Sequence, residues 1–385
     1  MDRRATVHDS RSRRHHLVDL GRNDRLVALD VTRGVAMLGV VALNYHAILN
    51  DEDAFAPINP SFLERLFNPV SGVLSTRFAA TFVVVAGIGV ALLSARTSEA
   101  DMAGIRLLRE RLLRRGTFLL VLGFVLEWIW PGTILFYYGA YFLIASAVVR
   151  QRTSQLLAGA AASVAVAAGL MAWRVSERFD DNFTAWLDPP SPNGPRNALI
   201  RLLFSYTHPV FPWIAFFFVG MVIGRSVRGG KILHTRLALV SMAIVAVSYL
   251  LRDALRPELI VDEGDALLAT FVSLQPFDRG VLYVTSTIGI ALLAIWTIER
   301  VVVHIPERLT SVLAQMGRLS LTIYVTHILV FNLVVDVFGW VRPTGLDSAL
   351  VLTACVITAC AIMARLVLRR WSTGPIESIY RSFGG

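Results

Sequence analysis

Apolar runs close to the ~20 residues that an α-helix needs to cross a bilayer recur along this chain from residue 27 to residue 368. The 385 residues are 55% hydrophobic and only 17% charged, with a mean hydropathy of +0.59, more apolar and less charged than soluble domains. The runs therefore predict an all-α polytopic membrane protein whose first partner is the lipid bilayer. Ten spans are expected, at residues 27–48, 78–95, 116–130, 132–149, 155–173, 208–225, 236–252, 280–298, 318–337 and 347–368. Pro131-Gly132 separates the short third and fourth spans, which read as a tight helical hairpin.

Charge between the runs sets the orientation. With both termini in the cytoplasm, the cytoplasmic segments hold 26 of the 37 Lys and Arg and the outer segments 10; the remaining one, Arg33, lies inside the first span. This is the positive-inside pattern, and it assigns the net charge of +9 to membrane orientation rather than to nucleic acid. The outer loops carry acid instead, including Asp51, Glu52, Asp53, Asp180, Asp181, Asp262, Glu263 and Asp265. Residues 1–25, rich in arginine and without the apolar core of a signal peptide, read as a flexible basic cytoplasmic tail. Residues 26–370 form one transmembrane domain and 371–385 a short cytoplasmic tail. The expected location is the plasma or inner membrane. In the longest outer loop, the prolines of 188–195 predict a stiff, extended crossing.

Several motifs are missing. Cys355 and Cys360 lie five apart in one apolar run, too far apart on a helix for a disulfide. No metal-binding or nucleotide-binding signature stands in a supporting context, and no metal is expected. Gly87, Gly89, Gly220 and Gly224 read as close-packing positions between helices.

Polar side chains at membrane depth are costly, so each is a functional candidate. In the first span Asp30 precedes Arg33 by three residues and can pair with it. Asn44 follows Arg33 by eleven residues, about three turns, so the two share a face. His46 points elsewhere if the helix continues. In the ninth span Ser320, Tyr324 and His327 recur at one helical face. His208 stands at the start of the sixth span, before Pro209 and Pro212, and Glu127 closes the third. Each group also has a plain alternative, as an interfacial salt bridge or a packing hydrogen bond.

Arg25-Leu26 and the following LDVTRGVAMLGVVALNY resemble the opening helix of YeiB-like membrane proteins and of the heparan-α-glucosaminide N-acetyltransferase catalytic domain. HPVFPWIAFFFVGMVIGR (208–225) and MGRLSLTIYVTHILVFNLV (316–334) are similar to later motifs of that superfamily, in the same order. The resemblance implies a transmembrane acyltransferase. It takes an acyl group, acetyl foremost, from cytoplasmic acyl-CoA as co-substrate and delivers it to an outward-facing small molecule, envelope sugar or glycolipid. Asn44 matches the family's functional asparagine, and His327 the recurrent histidine of a late Tyr-x-x-His motif. Eleven residues after that asparagine, where the characterised acetyltransferase has its catalytic histidine, this chain has Phe55; His46 is the histidine nearby.

Arg33, Arg318 and Arg225 lie toward the cytoplasm and are the candidates for the coenzyme's phosphates. Asn44, His46 and His327 are the catalytic candidates, as amide donor and general base. His208, Tyr324 and Glu127 are the candidates for the acceptor. A homodimer is compatible with this arrangement. The alternative is a proton-coupled transporter or lipid exporter, for which buried charge and histidine would serve as a relay.

Overall fold

The computed structural model describes residues 5–49, 61–98, 101–227, 232–342 and 344–385, with side chains from Val27 onward in those stretches. Fifteen α-helices account for most of them, and no strand occurs among the described residues. In order they are α1 (Ala5–Leu49), α2 (Phe62–Phe67), α3 (Arg77–Ser94), α4 (Met102–Leu126), α5 (Ile134–Val148), α6 (Thr153–Phe179), α7 (Gly194–Leu203) and α8 (Val210–Ser226). There follow α9 (Thr235–Leu255), α10 (Glu263–Val272), α11 (Val281–Val301), α12 (Glu307–Arg318), α13 (Ser320–Phe331), α14 (Leu346–Arg370) and α15 (Pro375–Gly384). A π-helical segment, Asn332–Val337, continues α13.

Seven of these helices are long and apolar enough to cross a membrane: Val27–Leu49 within α1, α3, α6, α9, α11, Ser320–Val337 and α14. Helices α5 and α8 are shorter and apolar. The chain is a multi-pass membrane protein, as its apolar runs require. The faces of α6, α9 and α14 are mostly exposed, the mark of helices that meet lipid, whereas α1 and α3 are mostly buried within the bundle.

Helix α4 begins at Met102, well before the expected start at 116. Its first half, rich in Arg and Leu, favours helix but is too charged to read as an apolar run. The segment around 299–318, expected as a connector, holds α12, which packs along α1. The loop 174–207 is not extended throughout. Pro195 occupies the first turn of α7, where its missing amide hydrogen costs nothing.

Without a hydrophobic drive between helices in lipid, close backbone approach supplies much of the packing. Helices α3 and α8 cross where Gly87 faces Gly220: a Cβ on either would overlap a carbonyl of the other helix. Helices α1 and α12 meet in the same way, Gly34 on the Leu313 carbonyl and Gly317 on that of Asp30. Gly224 lies against Ala91 and Ile88. Gly89 differs, since the only neighbour an added Cβ would meet is Arg33 Nη2, at 3.3 Å. Both cysteines are free, Cys355 exposed and Cys360 buried.

Candidate active site

A cavity of about 600 Å³ opens between α1, α3, α4, α5, α13 and α15. Helices α3 and α5 barely touch, and this gap is what the cavity fills. Its mouth lies at the end of the bundle where the apolar stretch of α1 begins, and we call this the basic end. Arg96 and Arg381 are exposed there, with Arg33, Arg111 and Arg115 half-buried behind them.

Two carboxylates share this wall, and both are engaged. Asp30 accepts a hydrogen bond from Arg33 Nη1 at 2.8 Å. Glu377 is turned away onto α13. Arg96, Arg111, Arg115 and Arg381 therefore have no carboxylate partner among the described residues. Arg115 lies over the Tyr380 ring, 5.1 Å from its centroid. Burial pushes the Tyr380 phenol up to about 12, so it stays a neutral donor beside the arginines. A cluster of planar, permanently charged guanidinium groups in a cleft suits a phosphorylated ligand.

Further in, the lining turns apolar, with Met37, Val40, Ala79, Phe82, Ile134 and Phe142. Two phenols break it. Among the described residues the buried Tyr138 hydroxyl has no hydrogen-bond partner, an orphaned polar atom in the wall that a ligand can satisfy. The Tyr324 hydroxyl accepts from the Ile134 amide at 3.0 Å and lies 3.3 Å from Thr133 Oγ1, which ties α13 to the start of α5.

One turn beyond Tyr324, on the same face of α13, stands His327. It is fully buried, with its ring 4.9 Å from that of Tyr324, 5.7 Å from Trp130 and 5.8 Å from Tyr45. Asn44 Nδ2 lies 3.4 Å from His327 Nε2. With this amide orientation Asn44 donates, so Nε2 carries the lone pair and the proton of the neutral ring is on Nδ1. Nδ1 is buried and has no hydrogen-bond partner among the described residues. The Tyr45 hydroxyl donates to the His327 carbonyl at 2.8 Å and fixes the backbone of α13 against α1. Helical phase had placed Asn44 and His327 on separate helices, and the fold brings them together.

The other candidates go elsewhere. Helix α1 continues through His46, so its ring leaves Asn44 and its Nδ1 pairs with the Phe67 carbonyl at 2.8 Å. Arg318 donates to the Ser372 carbonyl at 3.0 Å, and Arg225 to the Gln151 and Val149 carbonyls at 2.7 and 2.8 Å. Neither lines the cavity, because both guanidinium groups are spent on tying helix ends together. His208 packs edge-on against Trp213 at 4.5 Å, and its carbonyl accepts from Tyr141.

Glu127 is buried in an ion pair with Arg201 of α7. It also accepts the Gly132 amide with both oxygens, at 3.0 Å each. It thus holds the turn that carries Trp130 and Thr133 against His327 and Tyr324. Arg77 sits over the Tyr283 ring and donates to the Leu274 carbonyl. Arg279 donates to the Phe204 and Tyr206 carbonyls, and burial lowers its guanidinium to about 10. Phe55 lies outside the described residues, as do Asp51, Glu52 and Asp53.

Sequence reasoning missed Arg96, Arg111, Arg115, Arg381, Tyr138 and Glu377. The four arginines read as part of a general positive bias; only the early start of α4 and the return of α15 bring them to one mouth. Among the described residues, no group of three His, Cys, Asp or Glu side chains is gathered to hold a metal ion.

Residues 25–256, more than half of the chain, match the family model of the heparan-alpha-glucosaminide N-acetyltransferase catalytic domain. The chain belongs to this family. The match covers α1 from Arg25 through to the end of α9, and so includes Asn44, Glu127 and the α1, α3, α4 and α5 walls of the cavity. Residues 234–384 match a second model, that of a protein family of unknown function, DUF418. That match supplies His327 and the whole of α13 to α15. In this acetyltransferase-family chain the central pair therefore joins one residue from each matched region. No curated protein matches the chain.

Proposed function

We propose that the protein is a transmembrane acyltransferase that draws an acyl group from acyl-CoA at the basic, cytoplasmic end and passes it to an acceptor hydroxyl or amine reached from the opposite side. One observation carries this reading: an arginine-lined cavity ends at Tyr324, whose ring backs directly onto the His327/Asn44 pair. Arg33, Arg96, Arg111, Arg115 and Arg381 would hold the coenzyme's phosphates. The apolar throat with its orphaned Tyr138 hydroxyl suits the slender arm that ends in the thioester.

His327 Nε2, neutral and holding its lone pair, takes the proton of the attacking group once the acceptor displaces Asn44 from it. Asn44 has two amide hydrogens, so one can serve the developing oxyanion on the thioester carbonyl. A carbon–nitrogen or carbon–oxygen bond forms, the carbon–sulfur bond breaks, and the proton held by His327 passes to the leaving sulfur. Acetyl-CoA as donor and an envelope sugar or glycolipid as acceptor extend the family's N-acetyltransferase activity to this chain.

The test uses purified full-length protein in lipid nanodiscs, with coenzyme A binding measured by calorimetry and transfer measured with a panel of acyl-CoA donors and amino- or hydroxyl-sugars. Saturable binding and transfer are expected. Folded protein that binds no coenzyme A refutes the reading.

A further inference from the structure

The last helix of the chain is a wall of the cavity, and one of its side chains reaches the helix that carries His327. Glu377 of α15 is 7% exposed, and both its oxygens are used. Oε1 accepts the Thr322 amide at 2.9 Å and Oε2 the Thr322 hydroxyl at 2.5 Å. That hydroxyl in turn accepts the Ile376 amide at 3.3 Å, which stitches the start of α15 to the start of α13. Gly374 permits this approach, because a Cβ there would strike the Glu377 carboxylate and come within 2.9 Å of Thr322 Oγ1.

The physical need is plain. Helix α13 is broken from α12 at Leu319, whose φ of −103° and ψ of 24° are not helical. Leu319 has no side chain able to cap the new helix, and the first amides of any helix lack intrahelical partners. A carboxylate from 55 residues further along takes the place of the missing cap, at the end of the helix where negative charge is favoured. Ser320 and Leu321, the first residues of this broken start, line the cavity, as does Tyr324. Helix α13 is thus held at three points. Glu377 fixes its start, the α5 contacts fix Tyr324, and Tyr45 fixes the backbone at His327.

We infer, resting on the acyltransferase reading above, that Glu377 is a positioning residue for the transfer: it sets the start of α13 and, through it, the placement of Tyr324 and His327 at the inner end of the donor cavity. The C-terminal helix is then a working part of the active site.

The test compares wild type, Glu377→Ala, Glu377→Gln and Thr322→Val as full-length proteins in nanodiscs, by coenzyme A calorimetry and steady-state kinetics. Glu377→Ala is expected to bind coenzyme A within about threefold of wild type while kcat falls about 10- to 100-fold, the scale of a misplaced catalytic group. Glu377→Gln keeps an oxygen for the Thr322 amide and should recover at least about a third of wild-type kcat. Thr322→Val keeps the amide contact but loses the hydroxyl, and should fall between the two.

Turnover of Glu377→Ala within about twofold of wild type overturns the inference, as does a loss confined to donor KM, which would make Glu377 a direct binding residue. If Glu377→Ala does not fold, the other two variants decide: unimpaired Thr322→Val beside inactive Glu377→Gln overturns it. Wild type that binds no coenzyme A overturns the acyltransferase reading and this role with it. An active wild type with an unaffected Glu377→Ala overturns this role alone.

Discussion

His327 and His46 are both buried, yet they have opposite prospects. His46 gives its Nδ1 to a backbone carbonyl at a connection between helices, a contact that serves structure. His327 keeps one nitrogen on the Asn44 amide and the other without a partner among the described residues, inside three aromatic rings. His327→Gln should therefore lower kcat by about 10²- to 10⁴-fold, the range for a lost general base. Asn44→Ala should cost about 10²- to 10³-fold, as for a lost oxyanion donor. His46→Ala should stay within about tenfold of wild type, with any deficit appearing in thermal stability. Turnover of the three variants in nanodiscs checks the set, and an inactive His46→Ala beside an active His327→Gln would reverse the assignment. At this scale the sequence was informative wherever one helix's phase decided the matter. Arg33, Asn44, Tyr324 and His327 were legible because their spacing puts them on defined faces. The carbonyl contacts of Arg318 and Arg225 were not legible, because a basic residue at a helix end looks the same whether it meets a phosphate or a neighbouring carbonyl.

The helices were legible in proportion to how apolar they are. Spans such as α3, α11 and α14 begin and end close to where their apolar runs do, whereas the charged first half of α4 and the amphipathic α12 and α15 were read as loops or tail. Of these, α4 and α15 line the cavity and α12 packs along α1, so the element-scale reading was weakest around the cavity. The glycines of α3 give a sharp check. Gly87→Val should destabilise the protein by about 1–3 kcal/mol or more, because backbone of α8 fills the space the new side chain needs. Gly89→Val, two residues away, should leave the melting temperature nearly unchanged. It should raise the donor KM instead, since the valine enters the cavity beside Arg33. The α4/α5 turn gives another. Glu127→Gln leaves Arg201 buried without a counter-charge and should cost about 3–5 kcal/mol, whereas adding Arg201→Met should restore part of the loss. Thermal unfolding in detergent measures both, and a Glu127→Gln protein as stable as wild type would remove the ion pair from the account of how Trp130 and Thr133 are held.

Over the whole molecule, the arginines of the cavity gather at one end of the bundle, and His327 and Asn44 lie beyond its inner end at Tyr324. Opposite ends for donor and acceptor follow from this only if the cavity opens toward the cytoplasm, as the 26-to-10 distribution of basic residues implies. Sidedness is therefore a property of the fold that can be measured directly. Membranes prepared as inside-out and right-side-out vesicles would receive labelled acetyl-CoA, which does not cross the bilayer, with the acceptor present on both sides. Transfer should occur in the inside-out vesicles and reach right-side-out vesicles only after permeabilisation. It should also weaken as salt rises, because guanidinium contacts to phosphates near the exposed mouth are screened while the buried His327 is not. Equal labelling of both vesicle types before permeabilisation would mean that the arginine-lined mouth is not the single donor entrance, and the orientation inferred from charge would fall with it.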